Sequence, residues 1–232
     1  ISSSFKLGLL GEIGIEILSL LSAEQINELV YQKIHQLMDA DVFGIAEYDS
    51  VRNELHFNAI IERGEKIPAS INLSESHRPG VWCFTNKDLL LINNWERDYP
   101  KYFGKAPSEK TIKGGNTQSL MYYPLIAKNN LLGVITVQSF KGEAYSEQDI
   151  NLIKNLSVYI ATALSNARVY HHAEEIIEQR TQELKAQQEE LIKSYERTRM
   201  LSEIGHKISS SLSVEDIINH SYTSVQQLMG AH

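Results

Sequence analysis

The side chains with the most chemical potential are one cysteine and a pair of histidines. Cys83 lies between Trp82 and Phe84, and a thiol in such an apolar segment is typical of a buried packing residue, not of a nucleophile or metal ligand. His171 and His172 are adjacent, so on a helix their side chains point about 100° apart and cannot chelate one ion. We find no nucleophile–base pair or phosphate-binding loop. The sequence therefore predicts no catalytic residue and no metal site, and it identifies no cofactor.

The composition excludes several classes of partner. The chain has 232 residues and a formal charge of −7, which argues against a nucleic-acid or anionic membrane surface. A single cysteine excludes a disulfide framework and fits a reducing, cytoplasmic location. The most apolar stretch, residues 7–21, contains Glu12 and Glu16 and is too short to span a membrane. Because the first residue is Ile1, we expect a fragment of a longer protein.

Hydrophobic periodicity predicts an α+β domain. Residues 7–21 and 23–38 are expected to be helices, with Ser22 capping the second. Residues 77–86 are expected to form a short helix, and residues 93–115 an irregular stretch. Ser146 is expected to cap a helix that runs from Glu147 to about Ser211, because no proline or glycine interrupts it before Gly205. Strands are predicted at residues 42–48, 54–62, 89–92, 119–127 and 131–140, with hairpins around 49–53 and 128–130.

An internal repeat predicts the domain organisation. Residues 10–41 align with residues 201–232 without a gap, at a constant offset of 191. Identical pairs are Leu10/Leu201, Glu12/Glu203, Ile13/Ile204, Gly14/Gly205, Ile26/Ile217 and Tyr31/Tyr222. A period this long indicates a duplicated domain rather than a solenoid. We therefore predict a complete domain over 1–168, a coiled-coil linker over 169–200, and over 201–232 the first two helices of a second, truncated domain.

The order of several segments resembles the GAF domain family of regulatory modules. The resemblance is carried by residues 119–126 (SLMYYPLI), 132–139 (LGVITVQS), 145–149 (YSEQD) and 164–170 (LSNARVY). It implies a mostly antiparallel sheet with flanking helices, a small-molecule pocket on one face and dimerisation through the first and last helices. The charge-rich connector is similar to linkers of sensor histidine kinases, so we expect a tandem GAF sensor of a two-component system.

The ligand pocket expected from this resemblance is lined by the inner strand faces and the long loop. The candidate lining residues are Trp82, Trp95, Tyr99, Tyr122, Thr136 and Gln138. Aromatic walls with a few polar groups are suited to a planar organic ligand. The alternative is that these aromatic side chains fill the space themselves, in a domain that only dimerises and relays a signal.

The connector shows the seven-residue spacing of a weak coiled coil. One seam position is mostly apolar, at Ala163, Tyr170, Ile177, Leu184 and Leu191, while its companion position is mostly polar. The opening helix is apolar around much of its circumference, and one sheet face cannot cover all of these residues, which favours a second covering surface from another subunit. The apolar residues are Leu9, Leu10, Ile13, Ile15, Ile17, Leu18 and Leu20. The sequence thus predicts a homodimer that binds a small molecule and relays the signal to an output domain in the same chain. For the apolar face of residues 201–232, we expect either that a partner chain's helices cover it or that the segment is poorly ordered.

Overall fold

The computed structural model describes residues 3–104, 117–211 and 213–229. These divide into two compact units, one up to His172 and one from Ala173 onward. The first unit holds a sheet and most of the helices, and the second is helical throughout its described length. The helices are α1 (Ser3–Leu18), α2 (Ala23–Ile34), α3 (Pro79–Asn86), α4 (Trp95–Phe103), α5 (Glu147–Ser211) and α6 (Val214–Met229). The strands are β1 (Val42–Asp49), β2 (Glu54–Glu62), β3 (Glu65–Asn72), β4 (Leu90–Ile92), β5 (Ser119–Ala127) and β6 (Asn130–Ser139).

The sheet has six strands in the order β3-β2-β1-β6-β5-β4, and every neighbouring pair is antiparallel. One face packs against α1, α2 and the first part of α5, through residues such as Ile13, Ile26 and Leu156. The opposite face packs against α3 and α4, through residues such as Phe57 and Trp95. The α+β class, the antiparallel sheet with flanking helices and the long final helix are confirmed. We refer to the side of the sheet that packs against α3 and α4 as the α3–α4 face.

Local sequence signals account for several element boundaries. The Ser22 hydroxyl accepts a hydrogen bond from the backbone N–H of Gln25 at 3.2 Å, as expected of a helix cap. At the start of α5, the Ser146 hydroxyl and backbone N–H both donate to the carboxylate of Asp149. Lys128 and Asn129 take the left-handed conformation between β5 and β6, which is typical of a two-residue hairpin turn.

Two elements differ from the sequence prediction. Residues 93–115 were expected to be irregular, but α4 forms over Trp95–Phe103, where Asn94 caps the helix by accepting from the N–H of Arg97 at 3.0 Å. Pro100 lies within this helix and obscured the pattern, since proline disfavours helix interiors. The edge strand β3 was also missed, because Pro68 interrupts its alternating pattern and only Ala69 and Ile71 on its apolar face are partly buried. The parts of the predicted segments at 105–115, 212 and 230–232 lie outside the described residues.

Gly133 in β6 allows β1 to approach unusually closely. A Cβ atom at this position would lie 1.8 Å from the backbone oxygen of Ala46 and 3.0 Å from the Cα of Glu47. Both atoms belong to the neighbouring strand's backbone, so they can make room only if the central strand pair shifts.

We expect Gly133→Ala to lower the free energy of unfolding of the first unit by about 3 kcal/mol, because a methyl group must be forced against backbone in a packed sheet. Urea unfolding followed by tryptophan fluorescence measures this loss. Gly142→Ala is the matched control, since its nearest new contact is 3.8 Å away, and it should change the free energy by less than about 0.5 kcal/mol. Equal midpoints for the two variants would contradict the close approach.

Candidate ligand site and connector helix

The structure brings the six predicted pocket residues to the α3–α4 face. Trp82 lies on α3, Trp95 and Tyr99 on α4, Tyr122 on β5, and Thr136 and Gln138 on β6. Trp82 is partly buried and the other five are buried. They pack around the core formed by Phe57, Leu120 and Val134. These residues therefore lie on one face of the sheet, as predicted, while their role in binding stays a prediction.

The aromatic side chains on this face form a continuous row. The ring centroids of Trp95 and Tyr99 are 4.6 Å apart, and those of Tyr99 and Phe103 are 4.5 Å apart. Tyr102 continues the row to Trp82, with 4.9 Å between their ring centroids. Such distances are favourable for aromatic pairs. The row gives α3 and α4 a shared apolar surface above the sheet.

Tyr102 and Phe103 were not among the predicted site residues. Tyr102 attaches α4 to β4, because its hydroxyl donates to the backbone oxygen of Leu91 at 3.1 Å and accepts from the N–H of the same residue at 3.2 Å. The signal that could have identified both is their spacing from Trp95 and Tyr99, since positions 95, 99, 102 and 103 lie on one face of a helix.

A polar centre lies beneath the aromatic row. The Gln138 side-chain N–H₂ donates to the Tyr122 hydroxyl and to the Thr136 hydroxyl, both at 3.3 Å. The Gln138 side-chain carbonyl is buried and has no hydrogen-bond partner within the described part of the chain. Burial raises the pKa of Tyr122, more than the hydrogen bond with Thr136 lowers it, so its hydroxyl stays protonated and can donate. This centre therefore offers one free acceptor, the Gln138 side-chain carbonyl, beside a protonated tyrosine hydroxyl.

The first turn of α4 is held by a buried carboxylate. Asp98 accepts hydrogen bonds from the backbone N–H groups of Asn93 and Asn94, both at 3.0 Å. It also pairs with Arg97 and Lys101, each at 2.8 Å. The hydrogen bonds from Arg97, and less strongly those from Lys101, hold the pKa of Asp98 well below its usual range. The carboxylate therefore stays ionised and keeps α4 in place against β4.

Cys83 has the surroundings of a packing residue. It is buried among the apolar side chains of the α3–α4 face, and burial raises the pKa of its thiol far above the usual value. A neutral thiol is a poor nucleophile and a poor metal ligand. Among the described residues, no group of three or more histidine, cysteine or acidic side chains could hold a metal ion, and no helix is long and apolar enough to cross a membrane.

The predicted dimer residues fall into two groups. Leu10, Ile13, Ile17 and Ala163 are buried in the core of the first unit itself. Their apolar character is therefore explained by packing within one chain and does not require a partner, unlike the reasoning from the sequence. Tyr170, Ile177, Leu184 and Leu191 are exposed on α5, and these remain available to a second copy.

Arg168 attaches α5 to the sheet near the end of the first unit. Its guanidinium donates to the carboxylate of Glu47 on β1 through Nε at 3.1 Å and Nη2 at 2.9 Å. Nη2 also approaches the backbone oxygen of Leu132 on β6 at 3.4 Å. A two-nitrogen contact of this kind sets the orientation of the side chain as well as its charge pairing. A movement of the central strands would therefore reach α5 at this position.

The fold and site define a regulatory α+β domain, in which a sheet has a helical layer on one face and an aromatic, partly polar layer on the other. The family model of the GAF domain matches residues 21–165. The chain belongs to the GAF domain family.

The relatives agree with this assignment. The formate hydrogenlyase transcriptional activator FhlA of Escherichia coli is 26% identical over 181 residues, which are 75% of this chain and 25% of that protein. The chain thus spans about a quarter of the length of the curated relatives it matches. Among solved structures, the GAF domain of a phosphoenolpyruvate-protein phosphotransferase from Coxiella burnetii has a TM-score of 0.60 and 17% identity, covering 74% of this chain and 99% of that one. The corresponding GAF domain from Acinetobacter has a TM-score of 0.58 and 18% identity, covering 73% and 97%.

We expect Asp98→Ala to lower the free energy of unfolding by about 2–3 kcal/mol at pH 7, because it leaves the backbone N–H groups of Asn93 and Asn94 without their acceptor and removes charged hydrogen bonds. Since the folded pKa is depressed, this stabilisation is present above the unfolded pKa of about 4 and is lost as the pH falls towards the folded value. The difference between variant and parent should shrink below about pH 4. Urea unfolding at several pH values measures it.

Glu96→Ala is the control for this prediction, because Glu96 is an exposed acidic residue in the same turn of α4. Its effect should be small and nearly independent of pH. A difference for Asp98→Ala that persists unchanged down to pH 3 would contradict the assignment of an ionised, paired carboxylate.

Proposed function

We propose that this chain is a non-enzymatic input module that binds a small organic molecule at the α3–α4 face and passes the signal through α5. The observation that carries this proposal is the Gln138 centre. A buried acceptor without a partner costs about 1–3 kcal/mol, and here it lies beside a protonated Tyr122 hydroxyl and among aromatic side chains. A planar ligand with an N–H or O–H donor would satisfy the Gln138 carbonyl.

The output of the parent protein is proposed to be transcriptional control. The sequence predicted a histidine kinase, but the curated relatives that match are transcriptional activators and give no support to a kinase. These relatives match this chain over only about a quarter of their own length. The output domain is therefore inferred from the similarity to them. Cys83 is not proposed as a nucleophile, because burial raises the pKa of its thiol. A cytoplasmic location stays a sequence prediction.

Native mass spectrometry of the purified chain, compared with its denatured mass, tests ligand binding. We expect a species with additional non-covalent mass, which gives the molecular weight of the ligand directly. A dimer of bare polypeptide would favour the alternative function, in which the aromatic side chains fill the site and the domain only dimerises and relays.

We expect Gln138→Leu to abolish this additional mass, because it removes the acceptor and both side-chain donors while keeping a similar volume. Its effect on the free energy of unfolding should be small, since the unpartnered carbonyl disappears together with the hydrogen bonds. Native mass spectrometry and urea unfolding measure the two effects separately. Ser157→Ala is the control, because Ser157 is a buried polar residue on α5 that donates to the backbone oxygen of Lys154. Loss of the ligand in both variants would contradict a specific role for Gln138.

Dimerisation through α5 is the second part of the proposal. Ile177, Leu184 and Leu191 recur every seven residues on the exposed helix, and this spacing places them along one seam of a two-stranded coiled coil. The companion position is polar at Glu174 and Gln188, so the association should be weak. A weak seam permits a change of register or rotation at low cost, as a relay needs.

We expect Leu184→Asp to weaken the dimer at least tenfold, a change of about 1.4 kcal/mol, because it places a carboxylate in the apolar seam of both copies. Analytical ultracentrifugation over a range of concentrations measures the dissociation constant. Ala186→Asp is the matched control, since it introduces the same charge two residues away, outside the seam. A monomeric parent chain, or equal weakening by both substitutions, would contradict dimerisation through this helix.

A further inference from the structure

The second unit carries an apolar face that no described residue covers. It is formed by the end of α5 and by α6, and its members are Leu201, Ile204, Ile217, Ile218, Tyr222 and Val225. Ile204 is 54% exposed and Ile217 is 50% exposed. An apolar surface of this kind marks an interaction site in a folded protein.

The internal repeat indicates which kind of surface packs against this apolar face. Ile204 and Ile217 align with Ile13 and Ile26 at the offset of 191. In the first unit, Ile13 is 1% exposed and Ile26 is 0% exposed, because both pack in the core between the helices and the sheet. Val225 aligns in the same way with Ile34, which is also part of that core. The same helix pair is therefore buried against a sheet in one unit and uncovered in the other.

At two solvent-exposed positions, the first copy has apolar residues and the second copy has polar ones. Ile15 and Leu18 are exposed on α1, and the residues aligned with them are His206 and Ser209. Thus the second copy keeps apolar residues at most positions where the first copy faces its sheet, with Ser221 in place of Val30 as an exception, and it has polar residues at these two solvent positions. This pattern indicates a helix pair that is covered on one side and solvated on the other.

A glycine shared by both copies gives an independent observation. A Cβ atom on Gly14 would lie 2.7 Å from the ring of Tyr159 on α5, so the glycine makes space for that ring. Gly205 is the aligned residue, and nothing in the described part of the chain lies within 4 Å of the place its Cβ would occupy. Glycine is a poor helix former, and its presence within a 65-residue helix fits a site for an aromatic side chain.

We propose that residues 201–229 are the helical layer of a second GAF-type unit, and that its occupant is a GAF-type antiparallel sheet with a following helix that packs an aromatic ring against Gly205. The sheet formed by β1–β6 is not that occupant, because α1 and α2 already cover it. One position specifies the occupant further. Asn27 donates to the backbone oxygen of Ala59 at 3.2 Å, whereas the aligned residue is Ile218, so the second sheet presents an apolar contact there.

Exchanging the two helix pairs within this chain tests the proposal. Residues 10–41 are replaced by residues 201–232, which have the same length of 32 residues and need no gap. We expect the exchanged chain to retain a single cooperative urea transition of the first unit, at a lower midpoint. The matched control replaces residues 10–41 with residues 169–200, which are also 32 in number, and it should lose the transition.

The chain with residues 201–232 in place of residues 10–41 could be too unstable to fold. Two substitutions in the inserted segment allow the proposal to be tested in that case as well. Ile218→Asn and Ser221→Val restore the residues found at positions 27 and 30, and they should raise the midpoint. In this background, Gly205→Ala should lower the midpoint, and Gly14→Ala should do the same in the parent chain, because both place a methyl group against Tyr159. Loss of the transition in the exchanged chain both with and without the restoring substitutions would overturn the proposal.

The competing occupant is the helix pair of a second copy of this chain. In the unmodified protein, Ile217→Asp should leave the dimer dissociation constant unchanged within twofold if the face is suited to a sheet. A tenfold or larger increase in analytical ultracentrifugation would show that a second copy covers the face, and this would overturn the proposal.

Discussion

The rest of the structure depends on the close pairing of β1 with β6 at the centre of the sheet. Gly133 makes this pairing possible, because any side chain at that position would meet the backbone of Ala46. Both faces of β6 are buried: Ile135 and Val137 face the helices α1, α2 and α5, while Val134 faces α3 and α4. A strand buried on both faces has no freedom to move without disturbing both layers. The helices on the two faces of the sheet are therefore coupled through β6, because both sets pack against it.

This arrangement gives the proposed signal a physical route. The polar centre at Gln138 and Thr136 belongs to β6, and the first part of α5 packs on the other face of the same sheet. Arg168 then connects α5 to Glu47 on β1 and approaches Leu132 on β6. A ligand that satisfied the Gln138 carbonyl would stabilise one position of β6 over others. Such a preference reaches α5 through contacts already present, as a change in the population of states requires.

The two copies of the repeated helix pair show how surroundings decide the role of a sequence. In the first unit, Leu10, Ile13 and Ile17 are used for packing against the unit's own core, although the sequence had favoured a partner subunit for them. In the second unit, aligned side chains such as Leu201 and Ile204 are uncovered. The two helix pairs share many of their apolar residues, but the described part of the chain supplies a sheet for only one of them. Membership of the GAF family accounts for the first arrangement, and the repeat suggests the same arrangement for the second.

The sequence by itself determined the features that are encoded locally. Periodicity and caps predicted the helix from Glu147 to Ser211, and the Lys128-Asn129 turn predicted the β5–β6 hairpin, because each depends on a few neighbouring residues. It missed α4, where Pro100 weakened the helical pattern, and β3, where Pro68 interrupts the strand pattern and the apolar face is only partly buried. Only the tertiary structure decided that Leu10 packs inwards and that the Gln138 carbonyl has no partner among the described residues. These facts depend on contacts with residues distant along the chain, and no local pattern specifies which of them will meet.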